Sequence, residues 1–189
     1  FLKRPVFNSR VSFHLENLLL GTAGTIRALR RELSDSTALV LHADNWTNLD
    51  IGLFIDYHCR RVRDESSYLM TMVTFDCEKP HEAGIVEIDG NGRLTQFYEK
   101  VQNPPGNRAN AEIYLMEPSV ISWINAHADV NDVSTQVIPS FLGRIGVFHN
   151  HNLQRDIGRI SSLIAAQRDP KRDTLPNTND EWSERYKKH

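Results

Sequence analysis

The sequence predicts an α/β domain in which helices pack on a largely parallel sheet. Apolar, β-rich runs alternate with helical patterns over the first half of the 189 residues, as a succession of βαβ units requires. The composition supports a single core, since 40% of the residues are hydrophobic and 24% are charged. We therefore expect one domain over residues 1–169 and a polar tail over residues 170–189, in which Trp182 and Tyr186 are the available apolar anchors.

The first half alternates strands and helices. A strand is predicted over Val11–Glu16, and the Gly-rich turn after it opens a helix that runs from Gly21 to Leu33. The continuous apolar run Ala38–Leu41 indicates a strand buried on both faces. A helix from Asp50 to about Arg61 and a strand from Tyr68 to Phe75 continue the βαβ alternation.

The second half makes the sheet mixed. Gly84–Ile88 and Arg93–Glu99 flank the turn Asp89–Gly92, which is a strong signal for an antiparallel hairpin. A strand over Ala111–Met116 follows, and Pro118 suits the first turn of a short helix. The remaining predicted elements are a helix over Asp132–Leu142, a strand over Ile145–His149 and a helix over Ser161–Arg168.

Charge and composition exclude several classes of protein. The net charge of −2 provides no basic surface for DNA or RNA, so a phosphate-bearing partner should be small. Cys59 and Cys77 lack the spacing of a zinc site, and no apolar run is long enough to cross a bilayer. We expect a cytoplasmic protein without a membrane or nucleic-acid partner.

Two acidic residues are candidates for a metal site. Asp44 follows the strand Ala38–Leu41, and open α/β sheets bind ligands beyond the carboxyl ends of their strands. Asp156 lies in a predicted loop and could be its partner, because Mg²⁺ takes one or two carboxylates together with waters and substrate phosphates. The alternative for each aspartate is a helix cap or a turn residue.

Two further groups could bind a substrate. The turn Gly21–Thr25 leads into a helix, and its amides could contact an anion, although a simple tight turn is the alternative. Glu99 could accept hydrogen bonds from hydroxyl groups, and Lys100 could pair with a phosphate. Asn110 follows across a Pro/Gly loop, and a solvated strand end is the alternative for all three.

These pieces recur in an order that resembles a known family. The segments that carry the resemblance are Leu19–Thr25, His42–Asn45, Gly84–Val86, Phe97–Lys100, Ala109–Tyr114 and Asp156–Gly158. Together they are similar to the sugar-1-phosphate nucleotidyltransferases, and among these to short mannose-1-phosphate or heptose-1-phosphate guanylyltransferases. The resemblance implies a Rossmann-like three-layer domain with a mixed, mainly parallel sheet.

The same resemblance implies a reaction and roles for residues. The expected reaction transfers a nucleoside monophosphate from an NTP, with GTP favoured, to a mannose- or heptose-like sugar 1-phosphate and releases pyrophosphate. Catalytic roles fall to Asp44, Asp156 and Lys100, with Mg²⁺ on the two aspartates. The nucleotide-contacting residues are Gly21, Thr22, Ala23, Gly24 and Thr25; those facing the sugar phosphate are Gly84, Glu99, Lys100 and Asn110.

The chain also departs from the family pattern. Val101 stands where the family usually has Pro, Glu112 where it usually has Gly, and Arg159 where Thr is common. The family's first strand and Gly-rich triphosphate loop have no counterpart, and the chain begins with Phe1, so we expect an N-terminally incomplete domain. A non-catalytic sugar-phosphate-binding or regulatory relative is the alternative, and a homo-oligomer is an open option.

One basic run has an unremarkable interpretation. Arg27, Arg30 and Arg31 fall within the first predicted helix, and no matching basic signal occurs elsewhere. We expect a solvated helix face.

Overall fold

A computed structural model describes residues 10–170. The chain divides into two compact units, Leu20–Asp169 and a second formed by residues 1–19 with 170–189. In the second unit, residues 10–19 contain no helix or strand, so the strand predicted over Val11–Glu16 is wrong. Its alternating apolar side chains gain no sheet to pack on, and Phe13 and Leu15 are exposed. The polar tail, with Trp182 and Tyr186, lies beyond the described residues.

The unit Leu20–Asp169 contains six α-helices and eight strands among the described residues. The helices are α1 Thr22–Ala28, α2 Arg30–Leu33, α3 Ile51–Asp64, α4 Pro118–Ala126, α5 Ile138–Ser140 and α6 Ile160–Ala166. The strands are β1 Ala38–Leu41, β2 Asn45–Thr47, β3 Met70–Asp76, β4 Gly84–Ile88, β5 Leu94–Glu99, β6 Arg108–Met116, β7 Ile145–His149 and β8 Gln154–Asp156. A 3₁₀ turn spans Pro80–Glu82, and a π-helical turn spans Val133–Val137.

The main sheet has the strand order β5-β4-β6-β3-β7, with β1 also paired to β6. Strands β1, β3, β4 and β7 run in one direction, whereas β5 and β6 run in the other. Strands β1 and β3 pair with opposite sides of β6, so they run in the same direction but are not neighbours in the sheet. The predicted mixed sheet is confirmed, and the β4–β5 pairing is the predicted hairpin.

Helices cover both faces of this sheet, which gives three layers. One core cluster joins α1 and α4 to the sheet through Ile26, Ile124 and Met116. The second cluster joins α3 to the opposite face, where Phe54 packs with Ile113. Burial of these apolar side chains is the main favourable contribution to holding the layers together. No helix within residues 10–170 has the length and apolar character needed to cross a bilayer.

Several local predictions require correction. Strand β1 is buried on one face only, since Leu39 and Leu41 are exposed; α3 covers the neighbouring strands on that side of the sheet but leaves β1 partly open. The first predicted helix breaks at Leu29 into α1 and α2. The helix predicted over Asp132–Leu142 is a π-helical turn followed by the short α5. Pro139 lies in the first turn of α5, where its missing N–H is tolerated.

A second sheet was absent from the prediction. Strands β2 and β8 are three residues each and pair antiparallel, with Asn45 opposite Asp156. Asp156 therefore ends a strand and does not lie in a loop. The polar sequences of both strands lack the apolar alternation by which strands are recognised.

Arg27 also differs from its prediction as part of a solvated face. Its guanidinium donates hydrogen bonds to the carbonyl oxygens of Ile124, His127 and Val130 at 3.3, 3.0 and 2.7 Å. It also donates to Oδ1 of Asn131 at 3.0 Å. These carbonyls lie at and beyond the C-terminal end of α4, where helix oxygens lack partners in the helix. Arg27 thus fastens α1 to the end of α4.

We expect Arg27→Ala to lower the free energy of unfolding by about 2–3 kcal/mol, because it leaves several carbonyl groups without a donor. Urea unfolding followed by circular dichroism measures the change. Arg31→Ala is the matched control and should change stability by less than about 0.5 kcal/mol, since Arg31 is exposed on α2. Equal effects of the two substitutions would contradict the fastening role.

Candidate functional site

The small sheet brings Asp44 and Asp156 together. The amide of Ile157 donates to the carbonyl oxygen of Asp44 at 2.8 Å, which ties the two segments backbone to backbone. A Cβ placed on Gly158 would lie 3.0 Å from Oδ1 of Asp156 and 3.4 Å from Oδ2 of Asp44. Both carboxylates therefore approach the same point, and the absence of a side chain at Gly158 keeps that point open.

The donor set at this point suits Mg²⁺. Asp44 and Asp156 are both exposed, so water and a substrate phosphate can reach them. Mg²⁺ is usually held by one or two carboxylates with waters and phosphates completing its octahedron. No group of three or more His, Cys, Asp and Glu side chains within residues 10–170 is arranged to hold a metal.

A cavity of about 200 Å³ opens beside this carboxylate pair. Its lining includes all four residues predicted to face a sugar phosphate, namely Gly84, Glu99, Lys100 and Asn110, together with Asp156. The structure thus gathers residues from β4, β5, β6 and β8 at one place. The lining also includes residues that were not predicted as site residues: Asn45, Phe75, Glu82, Glu112 and Arg159.

Gly84 is required by the packing of the cavity wall. It is buried and pairs with Glu99 across the hairpin. A Cβ at this position would lie 2.5 Å from Cζ of Phe97 and 2.8 Å from Oε2 of Glu99. Any larger residue would displace the Phe97 ring or the Glu99 carboxylate, so the glycine leaves room for both side chains in the cavity wall.

Lys100 has an ammonium group that is exposed to solvent at the cavity. Its φ of 50° lies in the left-handed region, which L-residues seldom adopt, and its amide donates to the carbonyl oxygen of Ala83 at 3.2 Å. The ammonium group lies 3.4 Å from Oε1 of Glu99, and the side chain is 65% exposed. A phosphate could therefore approach Lys100 without breaking a buried ion pair.

Asn110 is buried, and both ends of its amide are already used. Nδ2 donates to the hydroxyl oxygen of Tyr114 at 2.6 Å, and Oδ1 accepts from the backbone amide of Glu112 at 2.9 Å. Burial raises the pKa of Tyr114 above its ordinary value, so the phenol keeps its proton. The geometry gives Asn110 a supporting part in shaping the cavity wall.

Glu112 occupies a β-bulge in β6. Between the pairs Met72–Tyr114 and Thr74–Asn110 there is one residue on β3 but three on β6. Glu112 lies within this bulge with a φ of 56°, which explains why glycine suits the position. The one signal in the sequence was Glu112 itself, which stands where the family usually has Gly.

The Glu112 side chain forms an ion pair with His42. Its Oε2 lies 2.9 Å from Nδ1 of His42, and the carboxylate side chain is 43% exposed. The hydrogen bond with Glu112 raises the pKa of His42, and the same hydrogen bond lowers the pKa of Glu112. Glu112 is therefore held in a defined position while its carboxylate remains accessible.

An ion pair connects two other unpredicted residues of the cavity. Nη1 of Arg159 lies 3.0 Å from Oε2 of Glu82 and links the loop after β8 to the 3₁₀ turn before β4. The neighbouring charge of Lys79 is the main cause that lowers the pKa of Glu82. The signal in the sequence was Arg159 itself, which stands where the family commonly has Thr.

None of the residues of the turn Gly21–Thr25 lines the cavity. Asp44 is also outside the lining, but it approaches Asp156, whereas the turn is held to a different segment. Gly21 has a φ of 77°, and a Cβ there would lie 2.3 Å from the carbonyl oxygen of Asn131. The amide of Ala23 donates to that oxygen at 3.0 Å, and Oγ1 of Thr22 accepts from the amide of Val133 at 2.8 Å. The turn is thus fastened to the segment before the π-helical turn.

The sequence profile of the nucleotidyl transferase family matches residues 3–172, which is most of the chain. The chain belongs to the nucleotidyl transferase family. The segments that first suggested a resemblance, from Leu19–Thr25 to Asp156–Gly158, fall within the matched region.

This nucleotidyl transferase chain is similar to mannose-1-phosphate guanylyltransferases. It is 26% identical over 172 residues to the mannose-1-phosphate guanylyltransferase of Mycobacterium tuberculosis, covering 89% of this chain and 46% of that protein. It is 32% identical over 114 residues to the catalytic subunit beta of the Drosophila melanogaster mannose-1-phosphate guanylyltransferase, covering 59% and 30%. The chain spans less than half the length of these curated relatives.

Solved structures confirm the fold of the nucleotidyl transferase chain. A Bacillus anthracis protein described as a glucose-1-phosphate thymidylyltransferase superposes with a TM-score of 0.72 at 17% identity, covering 86% of this chain and 67% of that one. HddC from Yersinia pseudotuberculosis superposes with a TM-score of 0.65 at 22% identity, covering 84% and 66%. The predicted α/β, Rossmann-like architecture is therefore confirmed.

At the bulge, we expect a glycine variant of Glu112 to be more stable than a valine variant, which is the reverse of the order in a regular strand. We expect Glu112→Gly to be more stable than Glu112→Val by about 2 kcal/mol, because a left-handed φ costs an L-residue roughly 1–2 kcal/mol and a β-branched residue more. Both variants lack the ion pair with His42, so its loss cancels in the comparison. Urea unfolding of the two variants measures the difference. A more stable valine variant, as β-propensity favours in an ordinary strand, would contradict the geometry.

Proposed function

We propose that this nucleotidyl transferase chain is part of an enzyme that transfers a nucleoside monophosphate from an NTP to a sugar 1-phosphate and releases pyrophosphate. The observation that carries the proposal is the position of Asp156. It lines the cavity that holds Glu99 and Lys100, and it also approaches the point that Asp44 reaches. A cation on the carboxylates and a sugar phosphate in the cavity would therefore be neighbours.

The cavity residues suit a phosphorylated sugar. Lys100 offers an exposed cation to the phosphate, while the Glu99 carboxylate accepts hydrogen bonds from sugar hydroxyl groups. Gly84 leaves room for the Glu99 carboxylate, and Asn110 accepts a hydrogen bond from the Glu112 amide in the cavity wall. Binding in this way fixes the orientation of the phosphate oxygen that attacks.

The chemical step requires positioning rather than a nucleophilic side chain. An oxygen of the sugar 1-phosphate attacks the α-phosphorus of the NTP in line, and pyrophosphate leaves. Lys100 holds the attacking phosphate and offsets part of its charge as it approaches the triphosphate. Asp44 and Asp156 would hold Mg²⁺, which supplies neutralisation of the phosphate charges when it is bound.

The nucleotide would lie against the turn Gly21–Thr25. This turn is fastened to the segment that contains Asp132, because Oγ1 of Thr22 accepts from the amide of Val133. The assignment follows the order of segments that resembles the family, in which Leu19–Thr25 comes first. GTP and mannose 1-phosphate are the substrates of choice because the relatives named above carry those specificities in their names. A heptose 1-phosphate is the second sugar to test.

We expect Asp44→Asn to lower kcat for pyrophosphate release by at least about 100-fold, because it removes one of two charges proposed to hold the metal. The assay supplies the intact protein with GTP, mannose 1-phosphate and Mg²⁺. The melting temperature should stay unchanged, and Asp35→Asn, an exposed aspartate outside the site, is the control. Near-normal turnover of the Asp44 variant would contradict a metal-binding role and show that Asp44 is only a turn residue.

Lys100→Ala should weaken binding of mannose 1-phosphate by roughly tenfold or more, since it removes a charged partner of the phosphate. Isothermal titration calorimetry on the intact protein measures the dissociation constant. Arg63→Ala, on the exposed side of α3, serves as the control for loss of a surface cation. An unchanged dissociation constant for the Lys100 variant would count against its role. Binding by the unaltered protein without any pyrophosphate release would instead favour a non-catalytic relative.

A further inference from the structure

We propose that Glu112 is a specificity-determining residue that accepts a hydrogen bond from a hydroxyl group of the sugar. The inference rests on the proposed function and adds a contact that the family pattern does not contain, since glycine is usual at this position. Glu112 lines the same cavity as Glu99 and Lys100. Its carboxylate is thus placed beside the groups assigned to the sugar phosphate.

The backbone conformation supports a functional role. Within residues 10–170, the non-glycine residues with positive φ are Lys100 and Glu112, and both line this cavity. Left-handed conformations of non-glycine residues are unfavourable and concentrate at functional sites, where surrounding contacts maintain them. The left-handed backbone at Glu112 therefore marks this position as a candidate for a functional role.

The surrounding contacts hold the Glu112 carboxylate at the cavity. The bulge in β6 turns the side chain away from the regular alternation of the strand, and Oδ1 of Asn110 accepts from the Glu112 amide. On the side chain, Oε2 accepts from Nδ1 of His42 at 2.9 Å. Backbone and side chain are therefore both fixed, and the partly exposed carboxylate keeps acceptor positions for a ligand.

The charges in the cavity indicate which part of the ligand meets Glu112. Lys100 and Arg159 are the cationic lining residues, and Lys100 suits the phosphate because Arg159 is already paired with Glu82. Glu99 and Glu112 are acidic and would repel a phosphate, but they suit hydroxyl groups, which can only donate to a carboxylate. Two further acidic residues line the cavity, but Glu82 is paired with Arg159, and Asp156 approaches the proposed metal position. Glu99 and Glu112 are therefore the carboxylates that favour a neutral, polyhydroxylated sugar ring.

The test measures binding by isothermal titration calorimetry on the intact protein with Mg²⁺ present. The probes are mannose 1-phosphate and its four monodeoxy analogues, lacking the 2-, 3-, 4- or 6-hydroxyl group. Glu112→Gly removes the carboxylate and suits the positive φ, whereas Glu112→Gln keeps the size and removes the charge. Glu32→Gln, an exposed residue of α2, is the control.

We expect both Glu112 variants to bind mannose 1-phosphate roughly tenfold or more weakly, as loss of a charged hydrogen-bond partner implies. The unaltered protein should bind one of the deoxy analogues more weakly than mannose 1-phosphate, by a factor similar to the loss seen in the variants. Glu112→Gly should bind that analogue and mannose 1-phosphate equally well. Equal or tighter binding by Glu112→Gly, or unchanged discrimination among the analogues, would overturn the inference alone. Failure of the unaltered protein to bind any sugar 1-phosphate would overturn the proposed function as well.

Discussion

The pairing of β2 with β8 is the contact on which the proposed site depends. Asp44 and Asp156 are far apart in sequence, and neither segment could by itself place two carboxylates at one point. Three residues of antiparallel pairing and the bond from Ile157 to Asp44 bring them together. Arg155 strengthens this arrangement through a bidentate ion pair with Asp169, at 2.7 and 2.8 Å. Asp169, the last residue of this unit, therefore stabilises the strand that carries Asp156.

Strand β6 provides the other half of the site. It pairs with β3 along one edge and with β1 and β4 along the other, so its position orders the sheet. The bulge within it turns Glu112 toward the cavity, and Asn110 holds that bulge from within the strand. One irregular strand thus links the core of the fold to the proposed sugar-phosphate cavity.

The features that depend on interactions between residues close in sequence could be predicted from the sequence. The hairpin around Asp89–Gly92 and the strand containing Met72 depend on local turn chemistry and apolar runs, and both were predicted. The order of segments along the chain also identified part of the cavity lining, namely Gly84, Glu99, Lys100, Asn110 and Asp156, because the family resemblance carried spatial information. By contrast, the strand over Val11–Glu16 was wrong because alternation alone supplies no partner strand.

Long-range contacts account for what was missed. The insertion of β6 between β1 and β3 depends on pairing between distant segments, which periodicity does not encode. Arg27 was assigned to solvent because its partners are carbonyl groups about a hundred residues away. The bulge at Glu112 left one trace in the sequence, an acidic residue where the family usually has glycine.

The most direct test of the account is a crystal structure of the intact protein with Mn²⁺ and mannose 1-phosphate, in which anomalous scattering locates the metal. The account predicts a metal peak coordinated by both Asp44 and Asp156, with the sugar in the adjoining cavity and its phosphate beside Lys100. A metal bound elsewhere, or a sugar phosphate outside the cavity lined by Glu99 and Glu112, would contradict it.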